Sequence, residues 1–206
     1  MRRLEIATIT PPHFIGAWVL DDVEVCDEVI VFFETHRSEQ RPGATGAGLN
    51  PAAKKSTDIN INPNDLALPS HRVLARYVAQ LHACYRDYLT QWPFLATMLP
   101  EADTGDFNLQ RYTPGEHFAG IHSERTTLGS AHRVLAWMTY LNDINSGGQT
   151  HFTHYDIKVQ PARGKTLIWP AEWTHAHAGL PVVSGTKYIA TGWLQFPAPD
   201  GGNTLT

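Results

Sequence analysis

The stretch "HFAGIHSERT" (117–126) places two histidines and a carboxylate within eight positions. On a β-strand, side chains two apart point to the same face, so His122 and Glu124 can grip one ion from one side. A third ligand must come from elsewhere, and "THAHAG" offers His175 or His177. On a regular strand those two share a face, so either can serve. Two imidazoles and one carboxylate bind one side of a metal ion and leave the other positions open. That donor set suits non-haem Fe(II) better than a closed structural zinc site. The His-x-Glu pair by itself equally suits a polar face on a solvated strand.

A second signal is the last strand-like run, "TKYIATGWLQF" (186–196). Alternation puts Lys187, Ile189, Thr191 and Trp193 on one face, and Tyr188, Ala190, Leu194 and Phe196 on the other. The second set reads as core or helix-packing. The first carries an ammonium into a strand that reads as buried, which is costly unless it meets an anion. Glu124 can be that anion, as can a carboxylate ligand held in the barrel.

The elements that must position these residues fall into two groups. In "VEVCDEVIVFFETH" (23–36), Val25, Val29, Phe32 and Phe33 recur at helical spacing. A second helix is predicted over 71–92, capped by Ser70, with an apolar stripe of Val73, Leu74, Tyr77, Val78, Leu81, Tyr85, Tyr88 and Leu89. "LEIATIT" reads as a strand ended by Pro11-Pro12, and "TDINI" as a short strand. Between the helices, residues 37–58 are rich in glycine and poor in apolar residues, the composition of a loop that can act as a lid. From Phe107 onward, "FNLQRYT", "HFAGIHSE", "RVLAWMTYLND", "THFTHYDIKVQ", "KTLIWP", "WTHAHA" and "TKYIATGWLQF" are short strands separated by turn residues, the pattern of a sandwich or barrel. The expected architecture is mostly β with α. A single domain spans 1–206, with helical support and the lid loop in 1–100 and a barrel core in 107–196.

Composition narrows the function classes. Twenty acidic against 16 basic residues, net charge −4, argue against a nucleic-acid partner. No run approaches the roughly 18 apolar residues of a membrane span, and "MRRLEIATIT" lacks the apolar core of a signal peptide. Cys26 and Cys84 form no CxxC pair. A reduced, cytoplasmic protein without a membrane partner is expected. An apolar N-terminal helix can support a homodimer. Seven of the eleven histidines lie at or after position 117, so the chemistry belongs to that half.

Five stretches carry a resemblance: "QRYTPGEHFAGIHSE", "WMTYLND", "GGQTHF", "GKTLIWP" and "HAGLPVVSGTKYIATGW". In this order, over roughly 107–196, they resemble the prolyl 4-hydroxylase-like Fe(II)/2-oxoglutarate-dependent dioxygenases. The resemblance implies a double-stranded β-helix (jelly-roll) barrel with N-terminal supporting helices. It implies His122, Glu124 and His177 as catalytic metal ligands; His177 takes the place of the distal ligand because Lys187 follows it by ten residues. It makes Lys187 the residue for the far carboxylate of 2-oxoglutarate. Tyr112, Tyr140, Thr150, Thr191 and Trp193 match positions lining the same pocket. Fe(II), 2-oxoglutarate and O₂ are the implied cofactors, with ascorbate as an optional reductant. The implied reaction is hydroxylation of an unactivated C–H bond, foremost in a prolyl residue of a peptide or protein. A free amino acid or other small molecule is the alternative substrate. A barrel that binds metal or an organic acid without turnover, and a zinc hydrolase, are the alternatives outside that class. Glu124 departs from the aspartate usual in the prolyl hydroxylases.

The remaining polar residues have plain readings. His117 and His132 flank the site, and His151 and His154 belong at a turn. Arg125 can meet a substrate carboxylate or a surface acid. Lys54 and Lys55 read as solvated loop charges. Trp169 and Trp173 bracket "PAE" near the barrel mouth and read as core packing. Gly147-Gly148 serves a tight turn.

Overall fold

A computed structural model describes residues 1–4, 12–46 and 48–197. Chain order runs β1 (Arg2–Leu4), β2 (Gly16–Val19), α1 (Glu24–Thr35), β3 (Arg41–Pro42), β4 (Thr57–Ile61), α2 (Arg72–Gln91), α3 (Pro93–Met98) and β5 (Asp103–Thr104). It continues with β6 (Phe107–Tyr112), β7 (Phe118–His122), β8 (Arg133–Tyr140), β9 (Thr150–Phe152), β10 (Ile157–Val159), β11 (Lys165–Pro170), β12 (His177–Gly179) and β13 (Lys187–Gln195). Two antiparallel sheets form the jelly roll. The larger has the order β1-β2-β11-β8-β13-β6-β4-β3, with β5 also paired to β13; the smaller has the order β10-β9-β12-β7.

Period-2 alternation assigns the two faces of the larger sheet. From β13, Ala190 and Leu194 join the core shared with the helices. Its neighbour Ile189 joins a second core, with Tyr112, Met138, Phe152 and Trp169. The helices bury the residues their spacing predicts: Val25, Val29, Phe32 and Phe33 in α1, and Leu74, Tyr77, Val78, Leu81, Tyr85 and Tyr88 in α2. These apolar faces pack inside the chain.

Several elements differ from the sequence reading. The N-terminal half is more than helical support, since it adds β1 to β4 to the large sheet. Of "LEIATIT", Leu4 ends β1 and residues 5–10 lie outside the described residues. Ser70 does not cap α2. It sits inside a 3₁₀ turn, Pro69–His71, and its hydroxyl pairs with His71 Nδ1 at 3.0 Å. "WTHAHA" is not one strand: Trp173–His175 is a 3₁₀ turn and β12 starts at His177. Phe196 lies past the end of β13 and is 40% exposed. Among the described residues, no helix is long and apolar enough to cross a membrane. Cys26 and Cys84 are both free and buried.

Candidate active site

Strand pairing brings the ligand candidates together. His177 of β12 lies directly opposite His122 of β7 in the antiparallel ladder. Glu124 sits two residues past the end of β7, where its N–H and that of Arg125 both donate to the Ala171 carbonyl, at 3.1 Å each. A shared strand therefore does not place it; that turn does. His122 Nε2 is 3.5 Å and His177 Nε2 3.3 Å from the same Glu124 oxygen, Oε1.

The tautomers follow from the outer hydrogen bonds. His122 Nδ1 donates to the Gly120 carbonyl at 2.8 Å, and His177 Nδ1 donates to the His175 carbonyl at 2.8 Å. Each Nε2 then offers a lone pair to the centre. Aromatic contacts fix the ring planes: Phe118 stacks on His122 at 3.8 Å, and Trp169 meets His177 edge-on at 5.0 Å. Two lone pairs and a carboxylate oxygen converging on one point suit a cation between them, a metal ion or, in its absence, a proton on an imidazole. A divalent metal with N/O preference fits this set. Burial would raise the Glu124 carboxyl. Where the imidazoles carry a second proton instead of facing a metal, their hydrogen bonds and charge outweigh it and hold the group well below the ordinary carboxylate range.

His175 is turned away from this centre. Its Nε2 meets the His13 carbonyl at 3.0 Å and its Nδ1 the Thr174 hydroxyl at 2.9 Å. A regular strand would have aligned it with His177; the 3₁₀ turn removes it.

A cavity of about 760 Å³ opens over the triad. Lys187 lines it, 2% exposed. Its ammonium donates to the Gly148 carbonyl at 3.0 Å and lies 4.6 Å from the centre of the Tyr112 ring. Among the described residues no carboxylate pairs with it, and Glu124 is taken by the two histidines and Trp193. Burial pulls the ammonium down to about 8. A buried cation lacking its counter-charge fits a carboxylate ligand. The Gly147-Gly148 turn, with φ of 76° and 72°, presents that carbonyl; a Cβ on Gly147 would lie 2.3 Å from the Pro181 oxygen.

The other pocket residues divide. Tyr112, Thr150, Thr191 and Trp193 line the cavity, whereas Tyr140 does not. Tyr140 is fully buried behind the wall and donates to Thr150 Oγ1 at 2.6 Å, so it supports a lining residue. Thr191 Oγ1 donates to the Trp137 carbonyl at 2.9 Å. The Trp193 indole N–H donates to Glu124 Oε2 at 2.8 Å.

Ala44, Thr45, Gly46, Ala53 and Lys54 form part of the wall. Lys54 is not a solvated loop charge: it is 4% exposed and pairs with Asp58 at 2.6 Å. Lys55 is exposed, as expected. Arg125 pairs with Glu172 at 2.9 Å, and His151 with Asp156 at 2.9 Å. Trp169 is buried in the cavity wall, while Trp173 is 69% exposed and so is not core. Arg133, which the sequence reading passed over, also lines the cavity, and no motif or periodicity marks it.

Residues 107–195 match the model of the 2OG-Fe(II) oxygenase superfamily. Over that stretch the chain is similar to 2OG-Fe(II) oxygenase domains. A probable prolyl 4-hydroxylase 9 of Arabidopsis thaliana is 28% identical to it over 126 residues, 48% of this chain and 44% of that protein. The match thus spans less than half of that relative. The viral collagen prolyl hydroxylase of Paramecium bursaria Chlorella virus-1, in its 2OG complex, superposes with a TM-score of 0.64 at 21% identity, covering 91% of this chain and 98% of that one. A Trichoplax adhaerens prolyl hydroxylase, in complex with a hypoxia inducible factor peptide fragment, gives 0.69 at 13% identity, over 89% and 84%. At these identities the two structures establish the jelly-roll fold of the oxygenase domain. 2OG-Fe(II) oxygenases use Fe(II), 2-oxoglutarate and O₂, and the donor atoms of the His-Glu-His triad fit such a metal.

Proposed function

We propose that this chain hydroxylates an unactivated C–H bond, in a prolyl residue of a peptide or protein, using Fe(II), 2-oxoglutarate and O₂. One observation carries the reading: three metal-directed atoms of His122, Glu124 and His177 converge in the same cavity as the buried Lys187, with which no carboxylate among the described residues pairs. Those three residues would hold the iron, and Lys187 the far carboxylate of 2-oxoglutarate. The bound iron and cosubstrate supply the oxidising equivalents that break the C–H bond. The chain orients and shields. Gly120 and His175 carbonyls set the imidazole tautomers, Lys187 would hold a carboxylate of the cosubstrate, and Trp169, Met138 and Ile189 keep water from the inner wall. The prolyl assignment is supported by the matched relatives, which are prolyl hydroxylases.

The test is an anaerobic titration with Fe(II) and 2-oxoglutarate, followed by aerobic turnover with proline-containing peptides. A visible charge-transfer band at one equivalent of each, and a peptide mass gain of one oxygen, are expected. His122→Ala should abolish the band. Tight metal binding with no band would overturn the oxygenase reading. Turnover with a free amino acid and none with any peptide would overturn the substrate class.

A further inference from the structure

Glu124 is one methylene longer than aspartate, and the same two residues hold both its ends. Trp193 Nε1 donates to Oε2 at 2.8 Å, so only Oε1 faces His122 and His177. The Arg133 guanidinium lies 3.4 Å from the centre of the Trp193 ring, and its Nη1 donates to the main-chain carbonyl of Glu124 at 3.1 Å. Carboxylate, indole, guanidinium and carbonyl thus close a ring. The Glu124 and Arg125 N–H groups, both on Ala171, fix the backbone from the other side.

We infer that Trp193, backed by Arg133, is a positioning residue that makes Glu124 a single-oxygen metal ligand. The inference rests on the metal-site reading above. A carboxylate with both oxygens free can chelate a metal and take two positions. Engaging Oε2 with an indole N–H leaves one oxygen for the metal and one more position open for cosubstrate and O₂. It also restrains a side chain with three rotatable bonds, which lowers the entropy lost on metal binding. The extra methylene is what lets the carboxylate span from this backbone to the metal centre and the indole together. An aspartate on the same backbone is one methylene shorter and is expected to lose one of the two contacts.

Co(II) is the probe, followed by titration calorimetry and by its visible d–d bands, on the full chain without cosubstrate. Trp193→Phe keeps a ring for Arg133 to stack on and removes only the N–H. It should weaken Co(II) binding about 10- to 100-fold and shift the d–d bands. Glu124→Asp should weaken binding as well, and serves alone if the Trp193 variant fails to fold. Wild-type Co(II) affinity and bands in the folded Trp193→Phe protein, or wild-type affinity in Glu124→Asp, would overturn the inference and leave the metal site standing. Failure of the unmodified protein to bind Co(II) would overturn the metal-site reading itself, and the inference with it.

Discussion

In the role proposed for it, Lys187 trades stability for binding. The folded chain holds its ammonium down to about 8 by burial, against about 10.4 for a free lysine. Between those values the unfolded chain binds more protons, so stability rises with pH there and the penalty is fully present below about 8. Lys187→Met should therefore raise stability at neutral pH by roughly 3 kcal/mol, a gain of about 6 °C or more in Tm, while 2-oxoglutarate binding is lost. Calorimetry on the cosubstrate-free protein checks it; a lower Tm would mean the lysine is already satisfied. The same titration predicts that 2-oxoglutarate affinity holds below pH 8 and falls about tenfold per unit above it, readable from Kd against pH. At this scale the sequence was informative where chemistry needs a residue type at a spacing. The His-x-Glu pair and the ten residues from His177 to Lys187 are of that kind. The choice of His177 over His175 was not legible from alternation, because the 3₁₀ turn at 173–175 breaks the strand. Neither was Arg133, whose partners lie nine and sixty residues away in sequence.

The wall residue Lys54 and the stretch that follows it to Asp58 are pinned by polar contacts that composition hides. Asp58 accepts from Lys54 Nζ at 2.6 Å, Ser56 Oγ at 2.7 Å and Gln110 Nε2 at 3.1 Å. Gln110 in turn accepts from the Tyr112 hydroxyl at 2.6 Å, whose ring faces Lys187. Lys54→Met would leave a nearly buried carboxylate with neutral donors alone, at a cost of about 3–5 kcal/mol. The denaturation midpoint should fall accordingly, and Asp58→Asn added to it should recover part of the loss. Additive losses would show that the pair is not a unit. The two long helices and most strands were legible because each buries one face with a clear period. β2 escaped notice: "GAWV" is four residues with three buried, too short to show alternation. The loop reading of 37–58 reflected many glycines, and glycine content says nothing of a buried lysine anchoring the segment.

At the scale of the whole chain, the large sheet separates two cores, one shared with the helices and one lining the site. Periodicity showed that α1 and α2 each had a core face, but not that both would cover the sheet side opposite the cavity. That choice is set by which residues of β8, β11 and β13 face outward, a three-dimensional fact. The separation has a measurable consequence. Leu81 of α2 is fully buried in the helix-side core, and Leu81→Ala should cost about 2–5 kcal/mol. Among the described residues, none of the helix-side core lines the cavity, so Co(II) and 2-oxoglutarate affinities of the folded variant should stay within about twofold of the parent. Ile189 sits on the same strand as Ala190 but faces the cavity, next to Lys187 and Thr191. Ile189→Ala should therefore weaken 2-oxoglutarate binding as well as stability. If Leu81→Ala weakened both ligands in step with its stability loss, the sheet would be transmitting strain between the cores, and the helices would be part of the active site's support in a way that their position alone does not require.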